Sequence, residues 1–409
     1  MPKIKNISSH KILNSRGDWT LETDVLLEDG SKGTQAVPEG ASKGENEAIS
    51  LPADKAVEIV NTAINDALDG EEALEQQALD EVLIQMDGTP NKSHLGGNSI
   101  LSVSLAIARA CAVSKKLELY DYLAVLFNGK PVDRANLKTP TPIFNILNGG
   151  KHARNNLSFQ EFMVIPSKNL SFIKALQIGD TVYHNLKDNL ILEGYETGVG
   201  DEGGFAPMSF TADKALFEIK KAAQKDFDVG KEVFFGMDVA AESFYKNGKY
   251  LIEEEALHLD NASMIDYYKD LISKYELIYL EDPFYEKDLE GWKLARDAFS
   301  SKLMVVADDL VVTNIKYLES VIEDRLATAV IIKPNQVGTL TETFKFVKRA
   351  QESGLETIIS HRSGETGEDS FISDLAVAVG ADFLKAGAPV RGERVVKYNR
   401  ILDIINSAI

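Results

Sequence analysis

Residues 277–282 (LIYLED), 303–309 (LMVVADD), 329–333 (AVIIK), 357–363 (TIISHRS) and 382–387 (DFLKAG) follow one pattern. Each is a short apolar run that stops at a polar or charged residue: Glu281, Asp308, Lys333, His361 and Lys385 in turn. An earlier run of the same kind, VFFGMD at 233–238, stops at Asp238. From Glu281 onward the stops recur roughly every 25 residues, the length that a parallel strand, a turn and a covering helix require. Such a repeat makes a closed barrel or a doubly wound sheet. The barrel is the better reading, because it gathers every strand's C-terminal end around one mouth, whereas an open sheet gathers only those beside its switch point.

Toward the N-terminus the pattern changes. Residues 21–37 (LETDVLLEDGSKGTQAV) read as two strands around the turn at Glu28, Asp29 and Gly30. Val57, Val60, Ile64 and Leu68 recur at helical spacing, residues 73–86 (ALEQQALDEVLIQM) read as a second helix, and 98–116 (NSILSVSLAIARACAVSKK) as a third, largely buried one. Strands followed by helices predict a small α+β domain. It ends in the turn-rich stretch FNGKPVDRANLKTPTP, which places an N-terminal domain at 1–137 and a barrel domain at 138–409.

The 409 residues are 44% hydrophobic and 26% charged, as in a globular protein with substantial cores. The formal net charge of -19 argues against nucleic acid and against an anionic membrane surface, both of which need clustered Lys and Arg. It does not argue against a small anionic substrate, since a bound metal can dominate the local field. The single cysteine, Cys111, lies in an apolar run and is expected in the core. No apolar stretch is expected to reach the roughly 20 residues that span a bilayer, and the opening MPKIKNISSHK has no signal-peptide apolar region. The expected location is the cytoplasm.

In a barrel, Asp238, Glu281 and Asp308 meet at the mouth. Three neighbouring carboxylates repel one another and do not all ionise unaided. A divalent cation relieves this, and an all-oxygen set suits magnesium. Lys333 and Lys385 beside it suggest a base, with positive surroundings lowering a lysine pKa toward neutrality. Glycine-rich 144–166 (FNILNGGKHARNNLSFQEFMVIP) carries His152, Gln160 and Glu161; 198–207 (GVGDEGGFAP) carries Glu202; 38–48 (PEGASKGENEA) carries Ser42 between Gly40 and Gly44. Alone, each of these is as readily a turn or a linker. The sharper reading makes the last one a lid that lends Ser42 to a metal or phosphate.

With these residues in view, the sequence resembles the enolase family, as a divergent, bacterial-type member. The blocks run in order: LNSRG, AVPEGASKGENEA, NKSHLGGNSILSVSLA, FNILNGGKHARNN, QEFM, VGDEGGFAP, GMDVAAESFY, LEDPF, ADDLVVTN, IIKPNQVGTLTET, SHRSGET and KAGAPVRGERVVKYN. The resemblance implies an N-terminal α+β capping domain and an eight-stranded β/α barrel whose first strands depart from regular order. It implies a lyase that interconverts 2-phosphoglycerate and phosphoenolpyruvate with two magnesium ions per site, the second arriving with substrate. Asp238, Glu281 and Asp308 would hold the first ion and Ser42 would help hold the second. Lys333 would take the proton from carbon 2, while Glu202 with Glu161 would help the carbon-3 hydroxyl leave. Lys385 would meet the substrate carboxylate, Arg362 and Ser363 the phosphate. His152, Gln160 and His361 would line the same site.

The resemblance also implies a homodimer or octamer. A role at the cell surface or in secretion without a signal peptide, and a related superfamily lyase acting on another carboxylate or a phosphonate, stay open beside it. Departures from the family pattern are Trp19 in RGDWT, a shortened stretch after Glu47, Pro334 after Lys333, Gly367 in SHRSGETGED and Asp403. They point to a second copy beside a housekeeping enzyme. Proline donates no ladder hydrogen bond, which predicts Lys333 at the very end of its strand.

Overall fold

In the computed structural model, which describes residues 2–41, 44–367 and 369–408, β1 (Ile4–Leu13), β2 (Trp19–Leu27) and β3 (Lys32–Ala36) form an antiparallel sheet in that order. β2 alternates in burial because one face meets helices and the other solvent, with Leu21, Val25 and Leu27 inside. β1 has no legible alternation: a bulge between Ile4 and Asn6 shifts its register, and lysine, histidine and serine fill its outer face. Against the sheet lies the helix Gly97–Lys115. At Gly33 a Cβ would come within 2.2 Å of the Ala106 carbonyl oxygen, so only glycine permits this approach.

That helix corrects one expectation. With 19 residues and a mean hydropathy of 1.3 it is long and apolar enough to cross a membrane, but 83% of that stretch is buried inside the protein. Its apolarity serves the domain core, where Cys111 is fully buried. The helix expected around Val57–Leu68 is present with a π-turn: α-helix over Ala53–Ile59, wider turns over Val60–Ile64, α-helix again over Asn65–Leu68.

The last helix of this part, Leu119–Asn128, is followed by an extended stretch that reaches the barrel. The remaining strands are β4 (Thr141–Asn148), β5 (Glu161–Pro166), β6 (Val233–Asp238), a small sheet of β7 (Tyr245–Lys246), β8 (Lys249–Ile252) and β9 (Leu257–Leu259), then β10 (Leu277–Glu281), β11 (Met304–Ala307), β12 (Ala329–Ile332), β13 (Glu356–Ser360) and β14 (Phe383–Lys385). β4, β5, β6 and β10 to β14 close into an eight-stranded barrel. β5 runs antiparallel to both β4 and β6; the stretch 149–160 that joins it to β4 carries no α-helix to cross it over. Ile143, Met163, Ile165, Tyr279, Val306, Ala329, Ile331, Ile358 and Phe383 fill the interior as a packed core.

The two parts are tied together by polar groups. Buried Asp80 accepts from the Thr341 backbone N–H (3.0 Å) and hydroxyl (2.6 Å), while Ser104 Oγ accepts from Leu340 N (3.0 Å), so the N-terminal part caps the barrel helix Leu340–Glu352. The β1–β2 turn reaches the mouth, where Ser15 N donates to the Glu365 carbonyl (2.7 Å).

Candidate active site

Strand direction decides which residues face the mouth. Parallel strands deliver their last residues: Asp238 from β6, Glu281 from β10, Lys385 from β14 and, one position beyond their strands, Asp308, Lys333 and His361. Reversed β5 delivers its first, Glu161, in register with Asp238. Lys333 sits just past β12 and Pro334 opens the next helical turn, where its missing N–H costs nothing. Gly40, His152, Gln160, Glu161, Glu202, Asp238, Lys333, Ser360, His361, Arg362, Ser363 and Lys385 line one small cavity at this mouth. A larger cavity of about 510 Å³ lies at the opposite end, around Lys168, Phe234, Met304 and Phe383. It is a wide dent among partly exposed side chains, and the convergent titratable groups are all at the mouth.

Lys385 Nζ lies 2.7 Å from Glu281 Oε2, 3.0 Å from Glu161 Oε2 and 3.5 Å from Asp238 Oδ2. Lys333 Nζ bonds Asp308 Oδ2. Gln160 Nε2 donates to Asp238 Oδ2 (3.1 Å) and Gln336 Nε2 to Asp308 Oδ1 (3.0 Å). Thr313 Oγ1 in turn accepts from Lys333 N (2.9 Å) and donates to Gln336 Oε1 (2.7 Å). Arg362, 5% exposed, grips Glu47 through both terminal nitrogens (2.9 and 3.3 Å). Ser363 Oγ accepts from Ala41 N (2.6 Å), and Gly44 N donates to Glu47 Oε1 (3.0 Å). Ser42 lies outside the described residues. Gly44, two positions on, is packed so that a Cβ would meet the Val312 side chain at 2.8 Å, which makes close approach the reason for a glycine there.

Burial first, and then the neighbouring carboxylates, push Asp238 up to about 6 and Glu281 up to about 7. Glu281 Oε1 is buried with no hydrogen-bond partner. This all-oxygen, under-satisfied set fits a hard divalent cation such as magnesium. Among the described residues, however, the tightest groups of ligand atoms, each within 4.8 Å, are His152, Glu161 and Glu202, and Asp282, Asp308 and Asp309. The expected triad is not one of them; Lys385 Nζ lies within 3.5 Å of both Asp238 and Glu281. Asp282 is committed elsewhere: its oxygens accept from Asp308 N (3.0 Å) and Asp309 N (2.9 Å), fixing the turn that presents Asp308.

The expected lowering of a lysine toward neutrality belongs to a site whose carboxylates hold their cation. Burial pulls Lys333 down, but Asp308 carries it above its ordinary value, and three carboxylates hold Lys385 well above. In this arrangement both are ammonium ions. On the other side of the cavity, His152 Nδ1 lies 3.2 Å from Glu161 Oε1 and 3.4 Å from Glu202 Oε1, and His361 Nε2 lies 3.2 Å from Glu202 Oε2. Burial and the Glu202 charge push Glu161 well up. Burial acts on Glu202 too, but His361, His152 and Arg394 hold it well below. The pair therefore shares one proton.

Residues 4–123 match the family model described as the enolase N-terminal domain, and residues 136–408 match the enolase C-terminal TIM barrel domain. The chain belongs to the enolase family. Membership makes it a lyase-type enzyme of the enolase superfamily, whose members generally use magnesium, and the acidic groups at the mouth agree with that. Within this enolase-type mouth, Glu47, Asn145, Thr313, Gln336 and Arg394 went unnoticed in the sequence. All five stand inside the blocks that resemble the family, but nothing local marks them. Each acts by holding a neighbour.

Proposed function

We propose that the protein catalyses the reversible dehydration of 2-phospho-D-glycerate to phosphoenolpyruvate, the step of glycolysis and gluconeogenesis, with two magnesium ions per site. The observation that supports it best is one buried cleft with Lys333 on a carboxylate ring at one wall and a proton-sharing Glu161–Glu202 pair at the other. A dehydration needs both: one group to remove a proton from carbon 2 and another to protonate the hydroxyl leaving carbon 3.

Asp238, Glu281 and Asp308 would hold the first cation and Ser42 would join the second. Bound cations supply positive charge that draws in the substrate carboxylate and stabilises the charge developing on it. Arg362 and Ser363 bind the phosphate. Lys333, relieved of the Asp308 charge, accepts the carbon-2 proton on Nζ, and the electrons of that C–H bond pass to the carboxylate. Lys385 faces that carboxylate. The proton kept by the Glu161–Glu202 pair goes to the carbon-3 hydroxyl, which leaves as water while the electrons return from the carboxylate to form the double bond between carbons 2 and 3, with His152, Gln160 and His361 shaping the pocket around it. A cytoplasmic homodimer or octamer completes the reading, with surface binding as a secondary role.

The test is direct: purified protein, magnesium and 2-phosphoglycerate, with phosphoenolpyruvate followed by its ultraviolet absorbance. Steady turnover is expected. No turnover of this substrate, with turnover of a different carboxylate or a phosphonate, would replace the proposal by a related superfamily lyase.

A further inference from the structure

Arg394 has no exposed surface and does not line the cavity, yet it touches three residues that border it. One terminal nitrogen lies 2.5 Å from His361 Nδ1 and donates to the Arg362 carbonyl (2.6 Å); the other donates to the carbonyls of Ser363 (2.6 Å) and Asp201 (3.2 Å). We propose that Arg394 is a positioning residue that holds His361 as the neutral imidazole carrying its proton on Nε2, on the side of Glu202. The catalytic consequence rests on the dehydration reading above; the tautomer does not.

The argument is one of donors and acceptors. A guanidinium has five N–H donors, no lone pair to offer, and does not lose its proton in proteins. An imidazole nitrogen facing it must therefore be the acceptor. That assigns the lone pair to Nδ1 and the proton to Nε2, whose neighbour at 3.2 Å is Glu202 Oε2. The same carboxylate oxygen accepts from Asn145 Nδ2 at 2.9 Å. An imidazolium would set N–H against N–H and two full charges side by side. The charged groups facing His361 are Glu202 on the loop after Gly198, Arg394 on the C-terminal helix and Lys385 on β14. Burial together with the two cations outweighs the Glu202 charge and pushes His361 down to about 3. What His361 presents to Glu202 is thus an uncharged N–H at 3.2 Å and not a full charge.

The backbone is shaped for this arrangement. Gly387 has φ +86°, and a Cβ there would lie 2.9 Å from Arg394 Cδ, 2.9 Å from the Glu202 carbonyl oxygen and 3.1 Å from His361 Cε1. Only a glycine lets the three residues converge. Lysine could not replace Arg394, because a point charge on a flexible stem cannot serve four acceptors in one plane.

Nitrogen NMR of the imidazoles, with His361 assigned by comparison with His361→Gln, reads the tautomer without substrate. For wild type the expected result is a protonated Nε2, an unprotonated Nδ1 and no titration between pH about 5.5 and about 8. In Arg394→Gln, and in Arg394→Lys should the first fold poorly, His361 is expected to populate the other tautomer or to titrate in that range. kcat should fall roughly 10–100-fold, the size of effect that misplacing a reacting group produces. KM should change less, whereas a role confined to the Arg362 carbonyl would move KM first. A protonated Nδ1 or an imidazolium in wild type, or an unchanged Nε2–H tautomer in both variants, overturns the proposal. Failure of wild type to turn over 2-phosphoglycerate would overturn the reading of the reaction and leave the tautomer result standing.

Discussion

Lys333 shows how much a single contact decides. Its place after an apolar strand marks it as functional, but its charge is set by Asp308, 25 positions earlier in the chain and bonded to it in space. Lys333→Ala is expected to fold and to lose dehydration activity by at least ~100-fold, as removal of a positioned base does; initial-rate assays with near-ultraviolet circular dichroism as a control check both parts. Cys111 carries a pH prediction. Burial pushes its thiol up to about 11, and Sγ donates to the Ala73 carbonyl at 3.1 Å. The unfolded thiol ionises from about 8.5, so this group leaves stability unchanged below that value and lowers it as the pH climbs toward about 11. Urea midpoints across that range should fall less steeply for Cys111→Ala than for wild type. Iodoacetamide should label native protein very slowly at pH about 8 and denatured protein quickly.

At the scale of elements, β1 is the clearest case of a strand that cannot stand by itself. It forms an edge of its sheet, and an open edge invites pairing with another chain. Two side chains from the π-turn helix close it. Asn61 accepts from Ser9 N (2.7 Å) and donates to the Ser9 carbonyl (3.0 Å), and Asn65 accepts from Ile7 N (2.7 Å). The wider helical turn sets both asparagines along the strand. Asn61→Ala removes two hydrogen bonds and should cost about 1–3 kcal/mol, read as a lower urea midpoint, with faster aggregation on warming. Trp19, where β2 begins, is 59% exposed and has Lys11 Nζ 5.1 Å from its ring centroid, so this departure from the family pattern sits on the surface and not in the core. Asp403 is likewise exposed, on the C-terminal helix.

For the molecule as a whole, the mouth and the barrel core are built from different residues. The interior is closed by aliphatic and aromatic side chains, while the titratable groups stand on the strand ends. Chelation should therefore abolish activity and leave the fold. Activity with and without excess EDTA, restored by added magnesium, and far-ultraviolet circular dichroism of the same samples form the check. Full activity after exhaustive chelation would remove the cation from the mechanism; loss of secondary structure would mean that it also holds the barrel together.

The strand stops at Asp238, Glu281, Asp308, Lys333, His361 and Lys385 were readable because parallel β/α units repeat at a nearly fixed length and always turn their C-terminal ends to one side. The β2–β3 turn and the helix at 97–115 were readable because burial on one face, or on all, leaves a period or an apolar run in the chain. β1 was not, since its outward N–H groups are satisfied by distant asparagines and its sequence needs no apolar alternation. Reversed β5 was not read from its residues, because strand direction leaves no mark in composition; it is the reversal that brings Glu161 to Asp238. Neither were the protonation states. Whether a lysine is a base or an ammonium ion, and which nitrogen of His361 holds the proton, depends on charges and donors such as Asp308 and Arg394. These come from other parts of the chain and become neighbours only when the barrel closes.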